Sequence, residues 1–85
     1  MTSFSYTIKD KDGIHARPAG MLVKTASLFV SDITLKAKGN TANAKKIFSV
    51  MSLGVKCNDE ITLSAEGSDE DAALKALKKF VTENL

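Results

Sequence analysis

Residues 61–80, ITLSAEGSDEDAALKALKKF, change from one hydrophobic period to another and indicate a strand followed by a helix. In the first six residues apolar and polar side chains alternate, which is the period of a strand with one buried face. Ser68 and Asp71 then have the spacing of a capping box, and the acidic residues between them suit a helix start. The apolar residues that follow recur at helical spacing and form the inward stripe of the predicted last helix. This stripe consists of Ala73, Ala76, Leu77, Phe80 and Val81.

The same two periods divide the rest of the chain into five further elements. They are a strand at 4–8, a helix at 18–29, a strand at 33–37, a short strand at 41–43 after a hairpin turn at 38–40, and a helix at 44–54. The order is therefore β-α-β-β-α-β-α. Because four short strands cannot bury both faces of a sheet in so small a chain, helices must cover one face only. We predict an α+β fold, an open-faced β-sandwich with a four-stranded antiparallel sheet and three helices on one face, in one domain over residues 1–85.

The composition is that of a small soluble globular protein. The 85 residues are 44% hydrophobic and 26% charged, and a chain of this size buries roughly 63% of its unfolded surface. No apolar run approaches the ~20 residues of a membrane span, and the N-terminal stretch lacks the apolar core of a signal peptide. The single cysteine, Cys57, cannot form an internal disulfide. We therefore expect a cytoplasmic monomer that does not insert into membranes.

The charges are distributed unevenly along the chain. Residues 1–56 carry nine Lys/Arg and three Asp/Glu, a net charge of +6, whereas residues 57–85 carry three and seven, a net charge of −4. Such an asymmetry can create a face for phosphates or for an acidic partner. The alternative is that acidic residues simply gather at a helix start. Both interpretations stay open at this point.

The only histidine, His15, lies in the segment GIHARPAG, residues 13–20. A lone histidine is most often structural or merely exposed, and that alternative is kept. Here, however, it lies between a glycine turn and the proline that marks a helix start, at or beside the N-cap. Helix N-termini present unpaired N–H groups to anions, and Arg17 adds donors suited to phosphate oxygens. A neutral imidazole at this position can hold a phosphoryl group whose oxygens contact residues Ala16, Arg17 and Pro18 of the first turn.

No other segment competes as an active site. The sequence contains no second histidine, no cysteine pair, no metal-ligand cluster and no phosphate-binding loop of the G-x-x-x-x-G-K-[ST] type. Asp10 and Asp12 are predicted to form a turn rather than a catalytic dyad. Acidic neighbours disfavour a thiolate at Cys57, which argues against a nucleophilic role. We therefore expect neither a metal nor a cofactor.

The segment KKIFSVMSLG, residues 45–54, is the second informative stretch. On a helical wheel Ile47, Val50 and Met51 share a face, and Phe48 and Leu53 flank it on opposite sides. A helix of about two turns cannot bury that whole circumference in a small domain, so either the helix is deeply sandwiched or it presents an apolar patch to a partner. Phe48 and Met51 are the candidate patch. The lysines expected to surround it are Lys24, Lys45 and Lys46.

GIHARPAG and the later SVMSLGV resemble the motifs of HPr, the histidine-containing phosphocarrier proteins of the bacterial phosphoenolpyruvate:sugar phosphotransferase system. The resemblance extends over the whole chain. It implies a carrier that accepts a phosphoryl group from enzyme I and passes it to sugar-specific enzyme IIA proteins, a phosphotransferase component rather than a stand-alone enzyme. It places the phosphoryl group on Nδ1 of His15 and assigns phosphate stabilisation to Arg17. The partner surface that the resemblance implies consists of Ala16, Gly20, Met21, Lys24, Ile47, Phe48 and Met51.

The chain departs from the family pattern at one position. Many members carry a serine at the start of the second helix, which a dedicated HPr kinase phosphorylates, but here that position is Lys46. Ser49 and Ser52 are close by without occupying the motif position. The resemblance therefore does not extend to regulation by that kinase or to docking on a catabolite-control transcription factor. Lys46 instead adds a positive charge that favours acidic partner surfaces.

Two other functions remain as alternatives, and a third is weaker. The chain could be a binding module in which His15 carries nothing, although the histidine is present. It could be a small enzyme acting on phosphate esters, but no second acid–base group accompanies His15. Nucleic-acid binding by the basic half is not expected, because there are five aromatic residues and no RNA-binding motif.

Overall fold

The computed structural model covers all 85 residues and contains seven elements in the predicted order. They are β1 (Thr2–Thr7), α1 (Ala16–Ala26), β2 (Asp32–Ala37), β3 (Asn40–Asn43), α2 (Ile47–Ser52), β4 (Glu60–Glu66) and α3 (Glu70–Asn84). None of the three helices combines the length and the apolar character needed to cross a bilayer.

The four strands form one antiparallel sheet in the order β1-β4-β2-β3. Leu63 in the central strand β4 pairs with Phe4 of β1 on one side and with Leu35 of β2 on the other. Leu63 and Leu35 are fully buried beneath the helices. On the other face the hydroxyl groups of Ser5 and Thr62 form a hydrogen bond of 3.0 Å that is exposed to solvent. The predicted open-faced sandwich is therefore confirmed.

A single core fills the space between the sheet and the helices. Helix α3 contributes most of its predicted stripe, since Ala73, Leu77, Phe80 and Val81 are buried, whereas Ala76 is only half-buried. Helix α1 contributes the buried residues Pro18, Ala19, Leu22 and Ala26. This packing fixes the start of α1 against the end of α3, which positions the histidine segment.

The hairpin predicted between β2 and β3 is present, but its turn has two residues, Lys38 and Gly39, because Asn40 already belongs to β3. Lys38 and Gly39 have φ angles of +54° and +78°, the combination that a type I′ turn requires. The Lys38 ammonium group donates a hydrogen bond of 2.9 Å to the carbonyl of Gly54 and lies 3.2 Å from the carboxylate of Asp59. The backbone N–H of Lys56 and the Lys38 ammonium together lower the pKa of Asp59. These contacts tie the hairpin to the loop after α2.

Helix α2 is shorter than the predicted 44–54 segment and spans Ile47–Ser52. The reason is a turn centred on Asn43. Its side-chain oxygen accepts a hydrogen bond of 2.9 Å from the N–H of Lys45, and its backbone carbonyl accepts one of 3.0 Å from Lys46. Local bonds of this kind compete with helix formation and delay the helix start.

The predicted capping box on Ser68 is wrong. Helix α3 begins at Glu70 with Asp69 as its N-cap, and the Asp69 side chain does not cap the helix. The Asp69 carboxylate is engaged elsewhere, because it accepts hydrogen bonds from the N–H groups of Val30 and Ser31 at 2.9 and 3.0 Å, and also from the Ser31 hydroxyl. These bonds, that of the hydroxyl first, lower the pKa of Asp69. Asp69 therefore connects α3 to the α1–β2 loop.

Candidate functional site

His15 is the N-cap residue of α1, as the sequence predicts. Its backbone is extended, with φ −88° and ψ −175°. The preceding segment is held against the loop after α2, because Gly13 has a φ of +65° and the N–H of Ile14 donates to the carbonyl of Val55 at 3.1 Å. Ile14 is buried, whereas the His15 side chain is 43% exposed. The backbone is therefore anchored while the imidazole stays accessible.

The start of α1 has free hydrogen-bond donors. The His15 side chain does not cap the helix, and the first helical bond runs from the N–H of Ala19 to the carbonyl of His15 at 3.0 Å. The N–H groups of Ala16 and Arg17 therefore have no helical partner, and Pro18 has no N–H to satisfy. The Arg17 side chain is exposed and forms no hydrogen bond or ion pair within the protein. Backbone and guanidinium donors thus converge beside the imidazole, an arrangement suited to phosphate oxygens.

An open cleft of about 220 Å³ lies at this position. It is lined by Asp10, His15, Arg17, Pro18, Met21 and Asn84. The local sequence pattern does not predict Asn84 at the site, and it predicts Asp10 only as a turn residue. Both join the cleft because the end of α3 packs against the β1–α1 loop, where the N–H groups of Lys9 and Asp10 donate to the carbonyl of Leu85 at 2.6 and 2.8 Å. The end of α3 and the β1–α1 loop are so far apart in the chain that no local sequence pattern predicts their contact.

The turn predicted at Asp10 and Asp12 is confirmed, since the N–H of Asp12 donates to Oδ1 of Asp10 at 2.9 Å. The expectation that no metal-ligand cluster exists needs correction. Ligand atoms of Asp10, Asp12 and His15 all lie within 4.8 Å of one another, with Oδ2 of Asp10 4.0 Å from Nε2 of His15. These are the groups that could hold a metal ion. Exposed carboxylates are common without one, and Asp10 already has a structural role in the turn.

The predicted partner residues of α1 and α2 lie on two helices that pack together. Gly20 faces the Cδ1 methyl of Ile47, and a Cβ at Gly20 would be 3.7 Å from it, an ordinary contact. Phe48 is 84% exposed, and Met21 and Met51 are 41% and 38% exposed. The alternative that the whole apolar segment belongs to the core is therefore wrong for Phe48 and Met51. Ile47 is half-buried and packs against the core.

The lysines around this surface differ in their availability. Lys24 and Lys46 are exposed, and Ala16 at the start of α1 is exposed as well. Lys45 is half-buried, and its ammonium group donates a hydrogen bond of 2.8 Å to the carbonyl of Phe29. The Lys45 ammonium group therefore holds the α1–β2 loop, and the predicted place of Lys45 around the patch stays a prediction.

The α1–β2 loop carries two exposed apolar side chains that the sequence pattern does not predict to be exposed. Leu28 and Val30 in the α1–β2 loop are each 76% exposed. The helical periodicity extended the first helix through this segment, whereas α1 ends at Ala26.

The open-faced sandwich and the exposed histidine at a helix start are the features of a phosphoryl-carrier domain. The chain matches the family described as the PTS HPr component phosphorylation site over residues 2–83, and it belongs to that family. It is similar to the histidine-containing phosphocarrier protein of Mycoplasma, with 44% identity over 96% of this chain and 93% of that one and a TM-score of 0.94. It is also similar to the phosphocarrier protein HPr of Bacillus anthracis, with 39% identity, coverages of 94% and 95%, and a TM-score of 0.87. As a member of this family, the chain has the role of a phosphocarrier in the phosphotransferase system.

A dimer also occurs among the similar structures. Crh, the catabolite repression protein of Bacillus subtilis, is 40% identical over 100% of this chain and 98% of that one, with a TM-score of 0.78, and its crystal structure is described as a dimer with a swapping domain. The monomeric state expected for the present chain therefore stays a prediction.

Proposed function

We propose that this chain accepts a phosphoryl group on Nδ1 of His15 from phosphorylated enzyme I and delivers it to enzyme IIA proteins or domains during sugar uptake. One observation carries the proposal. An exposed imidazole adjoins a helix start whose N–H groups are free and an arginine that has no partner in the protein. The transfer takes place in the cytoplasm, and the carrier acts as a monomer without a cofactor or metal.

The chemistry of the site supports reversible transfer. A phosphoramidate is a high-energy linkage, so the site must not bind the phosphoryl group more tightly than the partners do. Donors from Ala16 and Arg17 can contact the phosphoryl oxygens without enclosing them, because the cleft is open. Equal contact with the phosphoryl group in the donor, carrier and acceptor complexes allows transfer in either direction.

The partners dock on the surface formed by α1 and α2, in our proposal. Its apolar centre is Phe48 with Met21 and Met51, and the cations nearest in sequence are Lys24 and Lys46. Ala16, Gly20 and Ile47 complete the surface. A cationic margin favours acidic partners and accelerates their association. We assign Lys45 a structural role, because its ammonium group is bound to the carbonyl of Phe29.

Incubation with phosphoenolpyruvate and enzyme I tests this function. We expect one phosphoryl mass on His15 in an adduct that is labile to acid and stable to base. The matched control is His15→Ala, which keeps the fold because the side chain is exposed and caps nothing. Equal labelling of His15→Ala would disprove the proposal, as would labelling that never passes to an enzyme IIA protein.

We do not expect HPr kinase or a catabolite-control transcription factor among the partners, because Lys46 occupies the position of the regulatory serine. The neighbouring serines are poor substitutes. Ser49 is half-buried, and the Ser52 hydroxyl donates a hydrogen bond of 2.7 Å to the carbonyl of Ser49. Incubation with ATP and an HPr kinase, followed by mass spectrometry, should leave the chain unmodified. A phosphate on Ser49 or Ser52 would contradict this assignment.

The monomeric state is tested by light scattering after size-exclusion chromatography. A mass near 9.1 kDa at all concentrations agrees with the proposal. A mass twice as large would place this chain with the dimeric relatives.

A further inference from the structure

The side chain of Asp10 is held in one orientation. Its backbone N–H donates to the carbonyl of Leu85 at 2.8 Å, and its backbone carbonyl accepts from Gly13 at 2.9 Å. Its Oδ1 atom accepts the N–H of Asp12 at 2.9 Å. Three hydrogen bonds thus fix the residue, and only Oδ2 remains without a partner in the turn. The conformation is set by the fold and does not require a bound phosphoryl group.

The free Oδ2 atom of Asp10 lies beside one nitrogen of the imidazole. The distance from Oδ2 to Nε2 of His15 is 4.0 Å, and the two side chains are 29% and 43% exposed. This separation is too long for a direct hydrogen bond, but it is closed by a small rotation of either side chain or by one bridging water. An ionised carboxylate only accepts hydrogen bonds, so it favours the imidazole tautomer that carries its proton on Nε2.

We propose that Asp10 is a positioning residue that keeps the proton of His15 on Nε2 and so leaves the lone pair of Nδ1 to accept the phosphoryl group. The proposal rests on the phosphocarrier function given above. Charge supports the same choice, because a phosphoryl group on Nε2 would place its anionic oxygens against the Asp10 carboxylate. On Nδ1 the group is on the far side of the ring from that charge.

The transfer cycle then needs no proton movement within the carrier. The Nδ1 lone pair forms a bond to phosphorus, and the bond from phosphorus to the donor atom breaks and leaves its electron pair on the donor. The ring becomes an imidazolium whose proton stays on Nε2, facing the Asp10 carboxylate. When the group passes on, the Nδ1–P bond breaks, its electron pair returns to Nδ1, and the neutral ring still carries the Nε2 proton.

The test compares Asp10→Asn with the unchanged protein. Asparagine keeps the turn, since its side-chain oxygen can still accept the N–H of Asp12, but it turns an NH₂ donor towards Nε2. Ring ¹⁵N shifts of His15 at about pH 8, where an ordinary imidazole is neutral, report the tautomer without any phosphoryl transfer. We expect the ratio of the Nε2–H to the Nδ1–H form to fall by about five-fold, the factor of one net hydrogen bond. The initial rate of phosphorylation by enzyme I should fall by about the same factor.

Two control variants distinguish the specific position of the Asp10 carboxylate from the general loss of one negative charge. Asp32→Asn removes an exposed carboxylate at the start of β2 and should change neither readout. Asp12→Asn removes the second carboxylate near the ring and should change the tautomer ratio less than Asp10→Asn does. An unchanged tautomer ratio in Asp10→Asn, or a larger change in Asp12→Asn, overturns the assignment of Asp10. Absence of phosphorylation in the unchanged protein defeats the phosphocarrier function instead, while the ¹⁵N shifts still decide the role of Asp10.

Discussion

The backbone of Gly13 packs directly against the carbonyl group of Val55, so the β1–α1 loop contacts the loop after α2 with no room for a side chain. A Cβ atom on Gly13 would lie 2.2 Å from that carbonyl oxygen. The same oxygen accepts the N–H of Ile14 at 3.1 Å. His15 follows directly. The position of the imidazole therefore depends on a contact that only glycine permits, at a φ of +65° that side chains also disfavour.

Replacement of Gly13 should damage the fold severely. We expect Gly13→Ala to lower the free energy of unfolding by about 3 kcal/mol or more, because both the clash and the positive φ must be relieved. The control is Gly39→Ala in the hairpin, where φ is +78° and no atom lies within 4 Å of the added Cβ. Strain alone should cost that variant about 1 kcal/mol. Urea unfolding measures both values, and equal losses would contradict the role given to the Val55 contact.

Arg17 should matter for transfer and not for folding. Its side chain is exposed and unpaired, so we expect Arg17→Ala to change stability by no more than about 0.5 kcal/mol. The loss of charge-assisted hydrogen bonds to the phosphoryl oxygens should slow phosphorylation about 10- to 100-fold. Lys11→Ala, at an exposed cation in the β1–α1 loop just before the site, serves as the control and should transfer normally. A variant that unfolds while its folded fraction still transfers at full rate would refute this role.

Phe48 should contribute to partner binding rather than to stability. With 84% of the residue exposed, Phe48→Ser should unfold at nearly the same urea concentration as the unchanged protein. Aromatic side chains at the centre of an interface commonly carry much of the binding energy, so the affinity for enzyme I should fall about ten-fold or more. Leu28→Ser, at a residue that is 76% exposed in the α1–β2 loop, is the matched control. Calorimetric titration that finds the larger loss for Leu28→Ser would move the docking surface to that loop.

Asp69 should make stability depend on pH in the acid range. Hydrogen bonds from Ser31 and Val30 lower its pKa in the folded state, so its contribution is present above the ordinary carboxyl pKa of about 4 and is lost as pH falls through the lowered value. Urea unfolding between neutral pH and pH 3 should therefore show a smaller loss of stability for Asp69→Asn than for the unchanged protein. Asp71→Asn, an exposed acid in the first turn of α3, should retain the full dependence. Parallel pH profiles for all three proteins would contradict the role of Asp69.

Much of this fold could be predicted because burial on one face of a sheet leaves a simple alternation in the sequence. The two periods located all seven elements, and His15 with Arg17 followed from a short local motif. Contacts between distant segments left no such signal. Asp69 bonds to Ser31, 38 positions away in the chain, and that tertiary contact displaced the local cap expected at Ser68. Asn43 likewise shortened α2 through its own turn.

For the site as well, local features could be predicted from the sequence, whereas contacts between distant segments could not. The helix start and its proline could be read from neighbouring residues, whereas Asn84 reaches the cleft only when the last helix packs against the first loop. The role of a lysine cannot be predicted from its place beside an apolar segment. Lys45, for example, donates a hydrogen bond to a backbone carbonyl. Exposure of Phe48 depended on how α2 sits on α1, which periodicity alone does not fix.

One face of this protein is bare sheet, and the proposed phosphoryl site and docking helices belong to the other parts of the fold. In the proposed function, a donor docked over His15 occupies the same surface that an acceptor needs, so the two cannot be bound together. On that proposal, the carrier must dissociate from the donor before it can bind an acceptor. The throughput of the relay is then limited by the supply of unoccupied carrier, so an excess of either partner sequesters it and slows the whole chain of transfers.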